Sequence, residues 1–268
     1  MRDLPNPLRG GPPAEVPLER APLELVIAQV RFPLVAAIST LPFLAPFQEA
    51  IRTEYPILRE EQIERRVGAG PNGRNEFATA WSFHATDSAW RVVLTSDFLA
   101  LETRRYTSRS DFLARFERLI AALRQLLGST TVQRLGVRYI DRITGAELQH
   151  IGELVRAELG GLIATPLGGQ LLQSLGIHHL QLPEEGAQAM IRTGLVPAGQ
   201  SLDPNAIEAL PEPSWVLDID AFQHYPDGST PLDAGTLLPR TRSLCERIYA
   251  LFRWSVTDQF LSRFGANA

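Results

Sequence analysis

The apolar positions change period several times along the chain. From Leu23 to Phe32 (LELVIAQVRF) they are branched and nearly continuous, which predicts a strand. Residues 43–54 place Phe43, Phe47, Ala50 and Ile51 at helical spacing. Tyr55-Pro56 ends that helix, because the residue before a proline avoids the helical region. A polar stretch, 57–75, finishes on a turn signal at Pro71-Asn72-Gly73. The period then falls to two: in Glu76–His84 (EFATAWSFH), Phe77, Thr79, Trp81 and Phe83 share one face. A turn at Asp87-Ser88 and a strand from Trp90 to Thr95 complete a hairpin, and Phe98–Arg104 extends that strand or begins another. Ser108 and Asp111 stand at capping-box spacing. The helix they open, 110–127, carries Phe112, Phe116, Leu119, Ile120, Leu123 and Leu127 at core spacing.

Leu135–Ile143 (LGVRYIDRI) begins a second series. Ile151–Leu159 is read as a helix. Leu159 to Ile177 carries no charge over 19 residues. Gly160, Gly161, Pro166, Gly168 and Gly169 interrupt it, so it reads as a buried helix with a glycine-rich joint and not as a membrane span. Ile177–Leu182 and Ala187–Gly194 form a hairpin, and 197–213 is a proline-bearing loop. Ser214–Phe222 (SWVLDIDAF) is a strand. Thr236–Trp254 is a helix with Pro239 in its first turn and Leu244, Ile248, Leu251 and Phe252 facing the core. Residues 257–264 add a short terminal helix. Residues 1–22, with six prolines, predict an extended arm.

The order strand, helix, strand, strand, helix thus occurs twice. The expected fold is α+β: two tandem βαββα, ferredoxin-like halves, 23–134 and 135–268, sharing one extended antiparallel sheet with helices mainly on one face. The strand at 135–143 closes the first half while opening the second.

Composition narrows the chemistry. All 26 basic residues are arginine, so Schiff-base lysines, Walker A loops and kinase-type lysines are excluded. Cys245 is the single cysteine, which excludes an internal disulfide and a cysteine-based metal site and fits a reducing cytoplasm. The start has no apolar run of signal-peptide type. Net charge is −4, divided unevenly. Residues 1–150 hold nineteen arginines against seventeen acids, and residues 151–268 hold seven against thirteen. Neither half has the basic excess of a nucleic-acid domain, and nucleic acid is not an expected partner.

Three constellations are candidates. Arg104 and Arg105, near a helix start, together with Arg138 and Arg142 on one strand face, suit a phosphate or carboxylate ligand, with Glu102 and Asp141 nearby. The simpler reading pairs these arginines with local carboxylates. Asp218 and Asp220 point to one face of their strand and His224 follows, which suits a carboxylate metal site. The simpler reading makes them the solvated face of a half-buried strand. Trp81, Phe83 and Trp90 suit either base stacking or the core face of a sheet, the commoner use. No GxSxG, HExxH or GxGxxG pattern is present.

The blocks SDFLALETRRYTSRSDF, RLGVRYIDRI and LDIDAF, in that order, resemble the sporadically distributed prokaryotic protein family of unknown function. The resemblance spans roughly residues 23–264. It implies an accessory component of a mobile or defence-type gene cassette, and it transfers no catalytic residue. The leading expectation is a cytoplasmic, non-catalytic interaction protein, without cofactor, that binds a protein partner or itself. The alternatives are an enzyme or sensor for a phosphorylated or nucleotide-like ligand, and a metal-dependent hydrolase.

Overall fold

The computed structural model describes residues 6–67 and 74–266; the turn expected at Pro71-Asn72-Gly73 lies outside them. The strands are β1 (Leu23–Arg31), β2 (Ile57–Val67), β3 (Arg74–His84), β4 (Trp90–Leu94), β5 (Phe98–Thr103), β6 (Arg134–Ile143), β7 (Ser174–Gln181), β8 (Ala187–Val196) and β9 (Ser214–His224). They form one antiparallel sheet in the order β2-β3-β4-β5-β1-β6-β9-β8-β7. The helices are α1 (Leu41–Ile51), α2 (Arg109–Leu127), α3 (Gly145–Leu148), α4 (Ile151–Leu154), α5 (Ala157–Gly160), α6 (Ala234–Ser255) and α7 (Asp258–Arg263). No helix among the described residues is long and apolar enough to cross a membrane.

Two compact units are interleaved along the chain. One gathers residues 1–26, 137–223 and 242–268; the other gathers 27–136 and 224–241. In the second of these, α1 buries Leu44, Phe47 and Ile51, while Ala50, expected on the stripe, is exposed. Phe47 meets Phe83 of β3 edge-on at 5.5 Å. Ser108 caps α2 by accepting a hydrogen bond from the Asp111 amide at 3.1 Å. Phe112 of α2 stacks on Trp90 at 6.1 Å. Phe83 is the register partner of Val92, and Trp90 shares the Val92 face, so both helices cover the same face of this part of the sheet. Trp81 donates from Nε1 to the Ile38 carbonyl at 3.2 Å. Phe83 and Trp90 are core, and Trp81 is half-buried with its indole nitrogen engaged, which is packing and not a stacking platform.

One expectation fails here for a physical reason, and one open alternative is decided. Residues 57–67 form strand β2, although ILREEQIERRV carries six charged residues; among its described residues, Ile63 packs against a buried cluster, that of Ala80, Val93 and Ala100. It lies at the end of the sheet, where a strand needs backbone pairing with one neighbour more than apolar burial. Phe98–Thr103 is a strand of its own, because Thr95, Ser96 and Asp97 make a turn in which Thr95 Oγ1 accepts from the Phe98 amide at 3.1 Å.

In the other unit the aromatic series Tyr249, Phe252, Phe260 and Phe264 ties α6 to α7, with ring centres 6.2, 5.6 and 4.5 Å apart. The proline-rich arm runs along this series. Tyr249 Oη accepts from the Val16 amide at 2.6 Å and donates to the Ala14 carbonyl at 3.2 Å. The Arg20 amide donates to the Phe264 carbonyl at 3.0 Å. Residues 159–177 are not a buried helix. Glycine and proline reduce them to short turns, and β7 starts at Ser174. Leu162, Leu167, Leu172, Leu175 and Ile177 are each more than half exposed.

Candidate functional site

Alternation in β6 and β9 brings two of the sequence candidates together. Arg138 grips Asp218 with both arms: Nε to Oδ1 at 2.8 Å and Nη2 to Oδ2 at 2.7 Å. Arg192 of β8, the register partner of Asp218, adds Nη2 to Oδ2 at 2.6 Å. The loop 197–213 folds over this pair. Its Asp203 meets Arg138 Nη1 at 2.8 Å and Arg192 Nη1 at 3.9 Å. Asp203 is held by its own turn, in which its amide donates to Ser201 Oγ at 3.2 Å and Ser201 Oγ donates to the Ile207 carbonyl at 2.6 Å. Arg142 belongs to the same covering arrangement: Nε lies 2.8 Å from Glu24 Oε2, and Nη1 donates to the Glu208 carbonyl at 2.9 Å.

This geometry decides what the group can do. Asp218 is 1% exposed, so it is not on a solvated face. Strand alternation gave the face correctly; the loop that covers it was not legible from the strand alone. Both Asp218 oxygens accept from guanidinium groups, which leaves them poorly placed to ligate a cation. Each Arg138 nitrogen faces a carboxylate, which leaves it poorly placed to clamp an anion. Burial works to lower the Arg138 pKa, but hydrogen bonds and charge from Asp218 and Asp203 hold it above its ordinary value. Asp141 is also buried. Burial first, and the charge of Asp218 second, push its carboxyl up to about 7. Asp220 is half-buried and His224 exposed. Among the described residues, no group of three or more His, Cys, Asp or Glu is arranged to hold a metal ion.

The remaining candidates lie in the other unit. Glu102 faces its register partner Arg91, with Oε2 and Nη1 3.1 Å apart. Burial raises the Glu102 carboxyl despite that contact. Arg105 pairs with Asp87 at 2.8 Å in an exposed position, and the Arg104 amide donates to the Ala89 carbonyl at 3.0 Å. Arg91 also bonds Glu61, which accepts from Ser82 Oγ. Ser82 Oγ lies 3.1 Å from His84 Nε2. Burial, then the charges of Arg91 and Arg59, lowers the His84 imidazole.

Serine, histidine and glutamate here do not form a nucleophilic triad. Glu61 and Ser82 both approach the same ring nitrogen, Nε2, whereas a triad needs the carboxylate on the other one. Ser82 is also fully buried.

Sequence reasoning missed Asp203, Arg192, Glu61, Ser82, His84 and Arg91. For Arg192 a signal existed: a lone charge in the apolar strand AQAMIRTGLV, antiparallel to one bearing Asp218. Beside β7 and α5 lies a cavity of about 190 Å³, lined in part by Gly160, Gly161, Ser174, Gly176, His178 and Gly194. No protein-family model matches the chain, and no curated protein matches it.

Proposed function

We propose that the chain is a non-catalytic interaction protein that docks a protein partner on its uncharged segment, residues 159–177. The observation that carries this reading is the run of solvent-facing side chains Leu162, Leu167, Leu172, Leu175 and Ile177 in a stretch without one charge. Exposed apolar groups gathered in this way mark interaction sites. Internal pairing of Arg138 with Asp218, Arg142 with Glu24 and Arg105 with Asp87 supports the same reading, since it engages these side chains within the chain. We place the protein in the cytoplasm, where a chain with one buried cysteine is at home. We assign it to the sporadically distributed family that its central blocks resemble, as an accessory component of a mobile or defence-type cassette. We further read 23–134 and 135–268 as two copies of one ferredoxin-like plan. The support is that β5 lies beside β1 as β9 lies beside β6, each next to the strand that opens its half.

Native mass spectrometry of the chain isolated from its own host tests the interaction reading. The expected result is a bound protein, or further copies of the chain, lost in the variant Leu172→Asp. A stoichiometric small molecule with no protein partner overturns it.

A further inference from the structure

We infer that the partner seated on this segment is a second copy of the chain, joined edge to edge through β7. The inference rests on the interaction reading above and deepens it.

The two ends of the sheet are treated in opposite ways. β2, at one end, reads ILREEQIERRV, with three glutamates and three arginines among its eleven residues, the usual protection of an edge against another strand. β7, at the other end, reads SLGIHHLQ, with neither proline, lysine, arginine nor carboxylate. Leu175, Ile177, His178 and His179 are all exposed, so the strand is open on both faces over these residues. An edge strand without β8-type pairing on its outer side presents a row of backbone donors and acceptors, which an added strand satisfies.

Charge and register select a second copy as that strand. The acids exceed the arginines in residues 151–268; a strip without charge is where two copies meet with no like charges opposed. An antiparallel pair about a two-fold axis keeps each face of the strand on the same side, so opposed residues share a face. With the axis at Gly176, Leu175 faces Ile177 of the second copy, and Ile177 faces its Leu175. On the other face Ser174 meets His178. Moving the axis to Ile177 sets Ile177 against itself but Leu175 against His179, and moving it to His178 sets Ile177 against His179. Only the Gly176 register joins the two exposed apolar side chains of β7 to each other, twice per dimer.

Sedimentation equilibrium of the purified full chain tests this. The wild type is expected to be a dimer at micromolar concentration. Ile177→Lys is expected to weaken the dimer at least tenfold, with circular dichroism and melting temperature unchanged. The double variant Leu175→Glu/Ile177→Lys sets opposite charges across the axis and is expected to restore it. A dimer that survives Ile177→Lys overturns the β7 assignment. A monomeric wild type that still carries another protein when isolated from its host overturns self-pairing and leaves the interaction reading standing. A bare monomer in both settings overturns both.

Discussion

Asp141 is a buried carboxyl on which both influences, burial and the charge of Asp218, favour the proton. Its folded pKa, about 7, lies above the ordinary 3.8. Between those values the folded chain keeps a proton that the unfolded chain has released. Unfolding free energy therefore falls as pH rises through that window, and stays at its lower value above it. The full penalty is about 4 kcal/mol. Asp141→Asn removes the titration: urea unfolding at pH 8 is expected to find the variant the more stable, with the difference gone near pH 4. A variant that tracks the wild type at both pH values refutes the assignment. Arg138→Met acts in the other direction. It leaves Asp218 in the interior with Arg192 alone, and a loss of about 3 kcal/mol is expected in the same assay at pH 7. The residue types of this network were legible in RLGVRYIDRI and LDIDAF, and so was their choice of face. What covers them was not, because Asp203 arrives from a loop whose path no periodicity records.

At the scale of elements, what was legible followed the strength of local signals. α2 was readable because a cap and a six-residue apolar stripe, Phe112 to Leu127, agree on one helix. Ser108→Ala is expected to cost about 1 kcal/mol in thermal or urea unfolding, the usual worth of such a cap. β2 was not readable: its partner β3 supplies the pairing, and more than half of its own residues are charged. The segment 159–177 misled in the opposite way, since absence of charge was read as burial, and its leucines face solvent. The pairing of β7 with β8 depends on one glycine. Gly194 has φ +157°, and a Cβ there would stand 1.8 Å from the Ser174 carbonyl oxygen. Gly194→Ala is therefore expected to detach the start of β7, seen as faster amide exchange over 174–181 while α2 keeps its protection. Unchanged exchange in β7 counts against this account.

For the molecule as a whole, the antiparallel sheet and mixed α+β class followed from alternating and helical periods, while the strand count did not, since β2 and β5 carried weak or ambiguous signals. The prolines of residues 1–22 predicted an extended arm; where its residues 14–20 dock was not legible, because the contacts are to backbone groups that any sequence offers. Tyr249→Phe removes the hydroxyl that accepts from Val16 and donates to Ala14. Limited trypsin digestion is expected to cut the variant faster after Arg9 and Arg20 than the wild type, with the remaining fragment intact. Equal rates at both sites mean that the arm is held by other contacts.

The contrast between the two ends of the sheet also sets a limit on growth. A chain with two bare edges would add copies without end and become a fibre. Here one join consumes both copies of β7, and the sheet ends that remain among the described residues are both β2, each rich in glutamate and arginine by sequence. Assembly by this route stops at two: the charged strand works as a terminator, and the sheet ends where its own sequence makes a third partner unwelcome.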